Sequence, residues 1–202
     1  MPNKIDFKKE LKELYAPSAK EISVVKVLKL NFLSIEGKGD PNKSQEYQEA
    51  IEALYSVAFK IKFTAKKELG KDYAVMPLEG LWWSKGKFSI DDKNNWLWKS
   101  LIMQPSFITQ KIYQKAVEEV KAKKNLPGLD KIKFITLEEG LSAQLLYIGS
   151  YSEEKATIEK LHEFIQAQGC TVVKEHHEIY LSDPRKTSPE RLKTIIRQPF
   201  KK

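Results

Sequence analysis

The apolar positions of this chain follow two rhythms, and the changes between them mark its elements. From Ser23 to Glu36, β-branched and aliphatic residues (Val24, Val25, Val27, Leu28, Leu30, Phe32, Leu33, Ile35) alternate only partly with polar ones. That predicts one long strand, buried on a single face for much of its length. Gly37 to Asn42 interrupts it as a loop. Tyr47, Ile51, Leu54, Tyr55, Ala58 and Phe59 then recur at helical spacing, which predicts an amphipathic helix over 44–69, capped by Ser44 and stopped at Gly70. Extended stretches follow at about 73–84 and 94–104, with Asp91-Asp92-Lys93-Asn94 as the turn between them. Pro105 ends the second stretch, and Thr109 caps a helix carrying Ile112, Tyr113, Ala116, Val117 and Val120.

After Asn125-Leu126-Pro127-Gly128 the order recurs. Extended runs are expected at 132–137 and 141–149, a helix over 152–168 ending at Gly169, and strands at 171–182 and 191–197. Strand, helix, strand, strand thus occurs twice, which predicts an α+β fold with halves at about 23–125 and 130–200 related by a pseudo-twofold axis. Residues 1–22 read as a short helical lead-in on the outside. Pseudo-symmetric halves commonly enclose a crevice, and ligand sites favour such junctions.

Composition narrows the class. At 202 residues, 41% hydrophobic and 31% charged, the chain has the make-up of a folded globular protein. The start, Met1 to Asp6, lacks the apolar run of a secretory leader, and no stretch is apolar enough to span a bilayer. The single cysteine, Cys170, has no partner for an internal disulfide, so a cytoplasmic location is expected. The 35 basic residues exceed the 27 acidic ones, for a net charge of +8. The densest groups are Lys60-Ile61-Lys62 with Lys66-Lys67, Lys121 to Lys124, and the tail from Arg185 to Lys202. They read as solvated helix faces and a basic tail, and no nucleic-acid-binding motif accompanies them, so direct nucleic-acid contact is not expected. A monomer or homodimer is the expected state.

Candidate chemistry centres on His176-His177-Glu178-Ile179-Tyr180-Leu181. On a strand, His176, Glu178 and Tyr180 share one face while His177, Ile179 and Leu181 take the other. A glutamate buried among aromatics would act as a general acid or base near neutrality, or would pair with a cationic ligand. Leu78-Glu79-Gly80-Leu81-Trp82-Trp83 offers a second glutamate among large apolar side chains, and the two acids are expected to line opposite walls of one pocket. Four tryptophans fall within 17 residues (Trp82, Trp83, Trp96, Trp98). They serve either as core or as a wall that stacks flat or cationic ligands. Tyr147 is a further wall residue, and Tyr55, Trp98, Met103 and His176 complete the expected ligand contacts. A metal centre on His162, His176, His177 and Glu178 is not expected, because adjacent strand histidines face apart. Neither a phosphate loop nor a nucleophile elbow is present.

The decapeptide His176 to Arg185, Leu137-Glu138-Glu139-Gly140 leading to Gln144, Ile148-Gly149-Ser150-Tyr151, and Trp98 to Pro105 together resemble the GyrI-like small-molecule-binding family over about residues 20–200. Leu78 to Trp83 resembles its stand-alone branch. The resemblance implies a duplicated βαββ unit, called SH2-like in this family, around a central ligand cleft. It implies that Glu178 is the cleft glutamate. Some stand-alone relatives are similar to cyclopropanoid hydrolases, which open the strained ring of DNA-alkylating natural products, and another relative inhibits DNA gyrase. Two functions follow as expectations. One is a cofactor-free hydrolase in which Glu178 deprotonates water while Glu79 or Tyr180 assists charge on a conjugated carbonyl. The other is a binding module, drug-sequestering or protein-interacting, without chemistry.

Overall fold

A computed structural model describes residues 4–86 and 92–202. Two short helices, α1 (Phe7–Glu10) and α2 (Lys12–Tyr15), precede β1 (Ser23–Val27) and β2 (Leu30–Lys38). The long helix α3 (Gln45–Leu69) leads to β3 (Leu78–Ser84) and β4 (Trp96–Gln104), and α4 (Gln110–Lys121) follows. The second passage runs through β5 (Lys133–Leu137), β6 (Gly140–Ile148), α5 (Lys155–Ala167), β7 (Thr171–Val172), β8 (His176–Tyr180) and β9 (Lys193–Lys201).

Local chemistry sets the helix ends. Ser44 Oγ accepts from the Tyr47 amide at 3.1 Å, and Gly70 takes the left-handed conformation that closes α3. Thr109 caps α4 in the same way. The strands depart from the expected bounds where the backbone turns. The run from Ser23 splits at Leu28-Lys29, and the stretch from Tyr73 becomes a strand only at Leu78. The 171–182 strand is broken between β7 and β8, where Lys174 adopts a positive φ of 57°. The last strand continues past Arg197 to Lys201, while α5 starts only at Lys155. Of the expected 91–94 turn, Asp91 lies outside the described residues, and Lys93–Asn95 forms a 3-10 turn.

The strands named above pair antiparallel, in the order β1-β6-β9-β8-β3-β4-β2-β5, with β7 on β9. This order is palindromic. One constant shift along the chain carries β1 and β2 onto β5 and β6, and exchanging β3 with β8 and β4 with β9 completes the match. The halves meet where β3 pairs β8. Helices α3 and α5 pack on one face of the sheet, α3 over β2 and β4 and α5 over β6, β7 and β9. The 4–22 segment lies against the other face, and it is no loose lead-in: Tyr15 is buried, and the Leu146 amide donates to the Ser18 carbonyl at 3.0 Å.

Candidate functional site

Cross-strand register decides which side chains meet. Gly80 pairs with Glu178 and Trp82 with His176, so these lie on the helix-covered face together with Tyr180. Trp82 also pairs with Trp98, and Gly80 with Ser100. Glu79 pairs with Ile179 and Leu81 with His177, on the opposite face. The two glutamates therefore do not share a pocket: they sit on adjoining strands at neighbouring positions with the sheet between them. Trp83 and Met103, of opposite parity to Trp82 and Trp98, also leave the Glu178 face.

On the helix face Glu178 is the hub. Its Oε2 accepts from the Tyr180 hydroxyl at 2.8 Å, and its Oε1 lies 3.2 Å from His176 Nε2. The Tyr180 oxygen in turn accepts from Trp82 Nε1 at 3.1 Å. That reach requires Gly80. A Cβ there would lie 2.7 Å from Trp82 Nε1 and 3.0 Å from Cε2, so the indole folds across bare backbone. Tyr47, in the first turn of α3, packs on Trp82 and edge-on against Trp98 at 5.0 Å between centroids. Trp96 meets Trp82 at 5.3 Å, and Tyr151 meets Tyr180 at 5.6 Å. Tyr55 stands two turns along α3 from Tyr47, half-buried. Tyr147 points to the same face, but its hydroxyl donates to the Ser150 carbonyl at 2.9 Å.

Glu154, immediately before α5, brings a second carboxyl against Glu178. Burial and then the Glu178 charge push its pKa far above the carboxylate range, so Glu154 is held neutral and donates to Glu178. For Glu178, burial favours the neutral form, but the His176 and Tyr180 hydrogen bonds outweigh it and keep it ionised. Burial and the Glu178 charge raise Tyr180 well above its ordinary value and push Tyr151 up to about 12, so both stay neutral donors. The cluster thus pairs one carboxylate with one carboxylic acid inside an aromatic wall.

Behind the sheet lies a second polar layer. Glu79 Oε1 accepts from the Tyr15 hydroxyl at 2.8 Å, and its Oε2 is 2.9 Å from His177 Nε2, a close ion pair not aligned as a hydrogen bond. His177 Nδ1 meets Glu139 Oε1 at 2.9 Å, and Arg197 Nη1 donates to Glu139 Oε2 at 2.9 Å. Arg197 Nε donates to Gln144 and Nη2 to the Leu14 carbonyl. Burial alone would lower the His177 pKa, but Glu139 and Glu79 raise it to about 9. Burial would raise Glu139, but His177 and Arg197 bring it to about 2. This layer ties the N-terminal segment to the β3–β8 junction and holds Glu79 away from any ligand on the helix face.

Sequence reasoning gave no role to Tyr47, Tyr151 or Glu154 on the helix face, nor to Tyr15, Glu139, Gln144 and Arg197 behind it. One signal was present: Arg197 is a lone cation in the apolar run Thr194-Ile195-Ile196. Among the described residues no cluster suited to a metal ion occurs, and no helix is long and apolar enough to cross a membrane.

A model of the GyrI-like small molecule binding domain matches residues 20–201. No curated protein matches the chain. Among solved structures, an uncharacterized conserved protein from Listeria innocua is 41% identical, covering 98% of this chain and 100% of that one, with a TM-score of 0.91. A hydrolase from Listeria innocua is also 41% identical over the same shares, with a TM-score of 0.88. The C-terminal domain of EcmrR, 12% identical over 90% of this chain and 98% of that one, shares the fold at a TM-score of 0.56.

Proposed function

The chain belongs to the GyrI-like small molecule binding domain family, and we propose that it hydrolyses flat, electrophilic compounds bearing a strained cyclopropane ring. The observation that carries this reading is the buried carboxyl pair: Glu178, held by Tyr180 and His176, with Glu154 against it, burial and the Glu178 charge driving the Glu154 pKa up while hydrogen bonds drive that of Glu178 down, beside Trp82, Tyr47 and Tyr151. Two carboxyls whose environments drive their protonation apart supply a base and an acid at one pH. A protein named as a hydrolase, 41% identical over its whole length, supports an activity of that class.

In this mechanism Glu178 takes a proton from water as the water oxygen bonds to a ring carbon. The ring C–C bond breaks, and its electron pair passes through the conjugated system to a carbonyl oxygen. Glu154 gives that oxygen its proton. Transfer between the two touching carboxyls restores the starting state, with water as the only co-reactant. Tyr180 and His176 hold Glu178 in place, and the aromatic wall stacks the substrate. A positioned general base contributes roughly 10²–10⁴-fold, and relief of ring strain lowers what it must supply. The free thiol of buried Cys170 fits action in a reducing cytoplasm.

A second reading is non-catalytic capture of flat cations. It is favoured by the Glu178 carboxylate set among aromatic faces. Incubation with a spirocyclopropyl cyclohexadienone followed by mass spectrometry separates the two. Gain of one water, lost in Glu178→Gln and in Glu154→Gln while tryptophan quenching by the compound persists, is the expected result. Turnover retained in Glu178→Gln discards the mechanism, and unchanged compound with saturable quenching establishes capture.

A further inference from the structure

Helices α3 and α4 pack antiparallel and bring together two lysine groups that are far apart in sequence. Ser56, Lys60 and Phe63 lie along one face of α3, opposite Glu119, Val120, Lys123 and Lys124 of the α4 end, around a groove of about 220 Å³. An ion pair between Lys60 and Glu119 crosses it, and Lys124 Nζ donates to Ser56 Oγ at 3.3 Å. Lys123 has no ion-pair partner among the described residues. Phe63 of the lining faces solvent at 57% exposure, and Phe59, one helical turn earlier on α3, at 47%. Single exposed apolar residues are ordinary, but Phe63 beside a groove that also holds a lysine without an ion-pair partner forms a surface with a specific complement.

We propose that this groove docks an acidic peptide segment of a protein partner, carrying one large apolar anchor. Charge complementarity selects the occupant. The lining holds Lys60, Lys123 and Lys124 against Glu119 alone, so carboxylates flanking an anchor would meet Lys123 and Lys124 while the anchor covers Phe63 and Val120. A second copy of the chain is disfavoured because each copy carries +8. A nucleic-acid backbone would meet an acid, Glu119, and an apolar floor where it needs an uninterrupted row of cations. A bilayer requires a protruding apolar face, and this one is concave.

The probe is a short fluorescein-labelled peptide of Asp and Glu residues with one central leucine, titrated against the full chain by fluorescence anisotropy. Saturable binding is expected, weakened about tenfold or more by Lys123→Glu, by Phe63→Ser, and by replacing the peptide leucine with alanine. Tryptophan quenching by a ligand at the Glu178 face should be untouched in both protein variants, and their circular dichroism should match the parent. Equal binding of the alanine peptide, or binding indifferent to Lys123→Glu and Phe63→Ser, overturns the proposal. So does Phe63-dependent binding of duplex DNA or of anionic phosphatidylglycerol vesicles without binding of the peptide, or a Phe63-dependent dimer in sedimentation.

Discussion

Replacing Glu79 with Gln separates the roles of the two acidic residues that the sequence brings to mind together. Glu79 is fully buried, with the Tyr15 hydroxyl on one oxygen and His177 on the other. Glu79→Gln keeps the shape but presents an amide N–H to one of these two donors, and it leaves the buried imidazolium with Glu139 alone. Breaking a buried ion pair costs about 3–5 kcal/mol. Because the Glu79–His177 contact is close but unaligned, a loss near the lower end, about 3 kcal/mol, is expected. In a chain of this size each 1 kcal/mol moves Tm by roughly 2–4 °C, so Tm should fall by about 10 °C.

The same substitution should change the pH dependence of stability. The folded-state pKa of His177 is raised from 6.5 to about 9, so its contribution is complete below 6.5 and is lost as pH rises through 9. With Glu79 neutralised, the His177 pKa falls back, and the alkaline decline between pH 6.5 and 9 becomes shallower. Urea unfolding at the two ends of that window measures both effects, and turnover per folded molecule should stay near that of the parent. A Glu79→Gln protein as stable as the parent but inactive would refute the assignment and return Glu79 to the ligand site.

Gly80→Ala should push the Trp82 indole off Tyr180, costing about 1–3 kcal/mol for the forced overlap and altering near-ultraviolet circular dichroism; an unchanged tryptophan signal would contradict it. Tyr180→Phe removes a hydrogen bond that keeps Glu178 ionised, so the Glu178 pKa rises and the acid limb of the kcat/KM profile moves to higher pH, which pH–rate measurements check directly. Ser44→Ala removes the cap of α3 and should cost about 1 kcal/mol in chemical denaturation, with weaker ligand quenching because Tyr47 sits in that first turn. Gly37→Ala should prevent stable folding, since a Cβ there would come within 2.2 Å of the fully buried Trp98 ring; a soluble variant with a parent-like melting curve would refute this.

Much of the chain could be read from local rules because the signals are local. Ser44, Gly70 and Thr109 mark helix ends through contacts within a few residues, and the alternation of His176, Glu178 and Tyr180 needs only the geometry of one strand. What escaped depends on register between strands. Parity within Leu78–Trp83 says that Glu79 and Trp82 point apart, but only the pairing of Gly80 with Glu178 says which of them joins the site. Glu154 escaped because nothing in Ser152-Glu153-Glu154 distinguishes a buried carboxyl from a solvated helix start; its partner lies in another element. Tyr15 looked peripheral since its partner, Glu79, is far along the chain. The break at Lys174 was hidden because a positive φ at a lysine has no sequence signature.

The outermost strands carry a consequence for the divisibility of the molecule. β1 precedes the first passage yet lies on β6 of the second, while β5 precedes the second yet lies on β2 of the first. Each unit lends its leading ribbon to its twin, like two people clasping forearms. Neither could finish its own border if severed from the other, and a lone unit would seek a sibling to complete the embrace. Pairing across the β3–β8 seam holds such a handshake closed while the two sides differ in what they bring to it: Glu178 on one answers to bare Gly80 on the other.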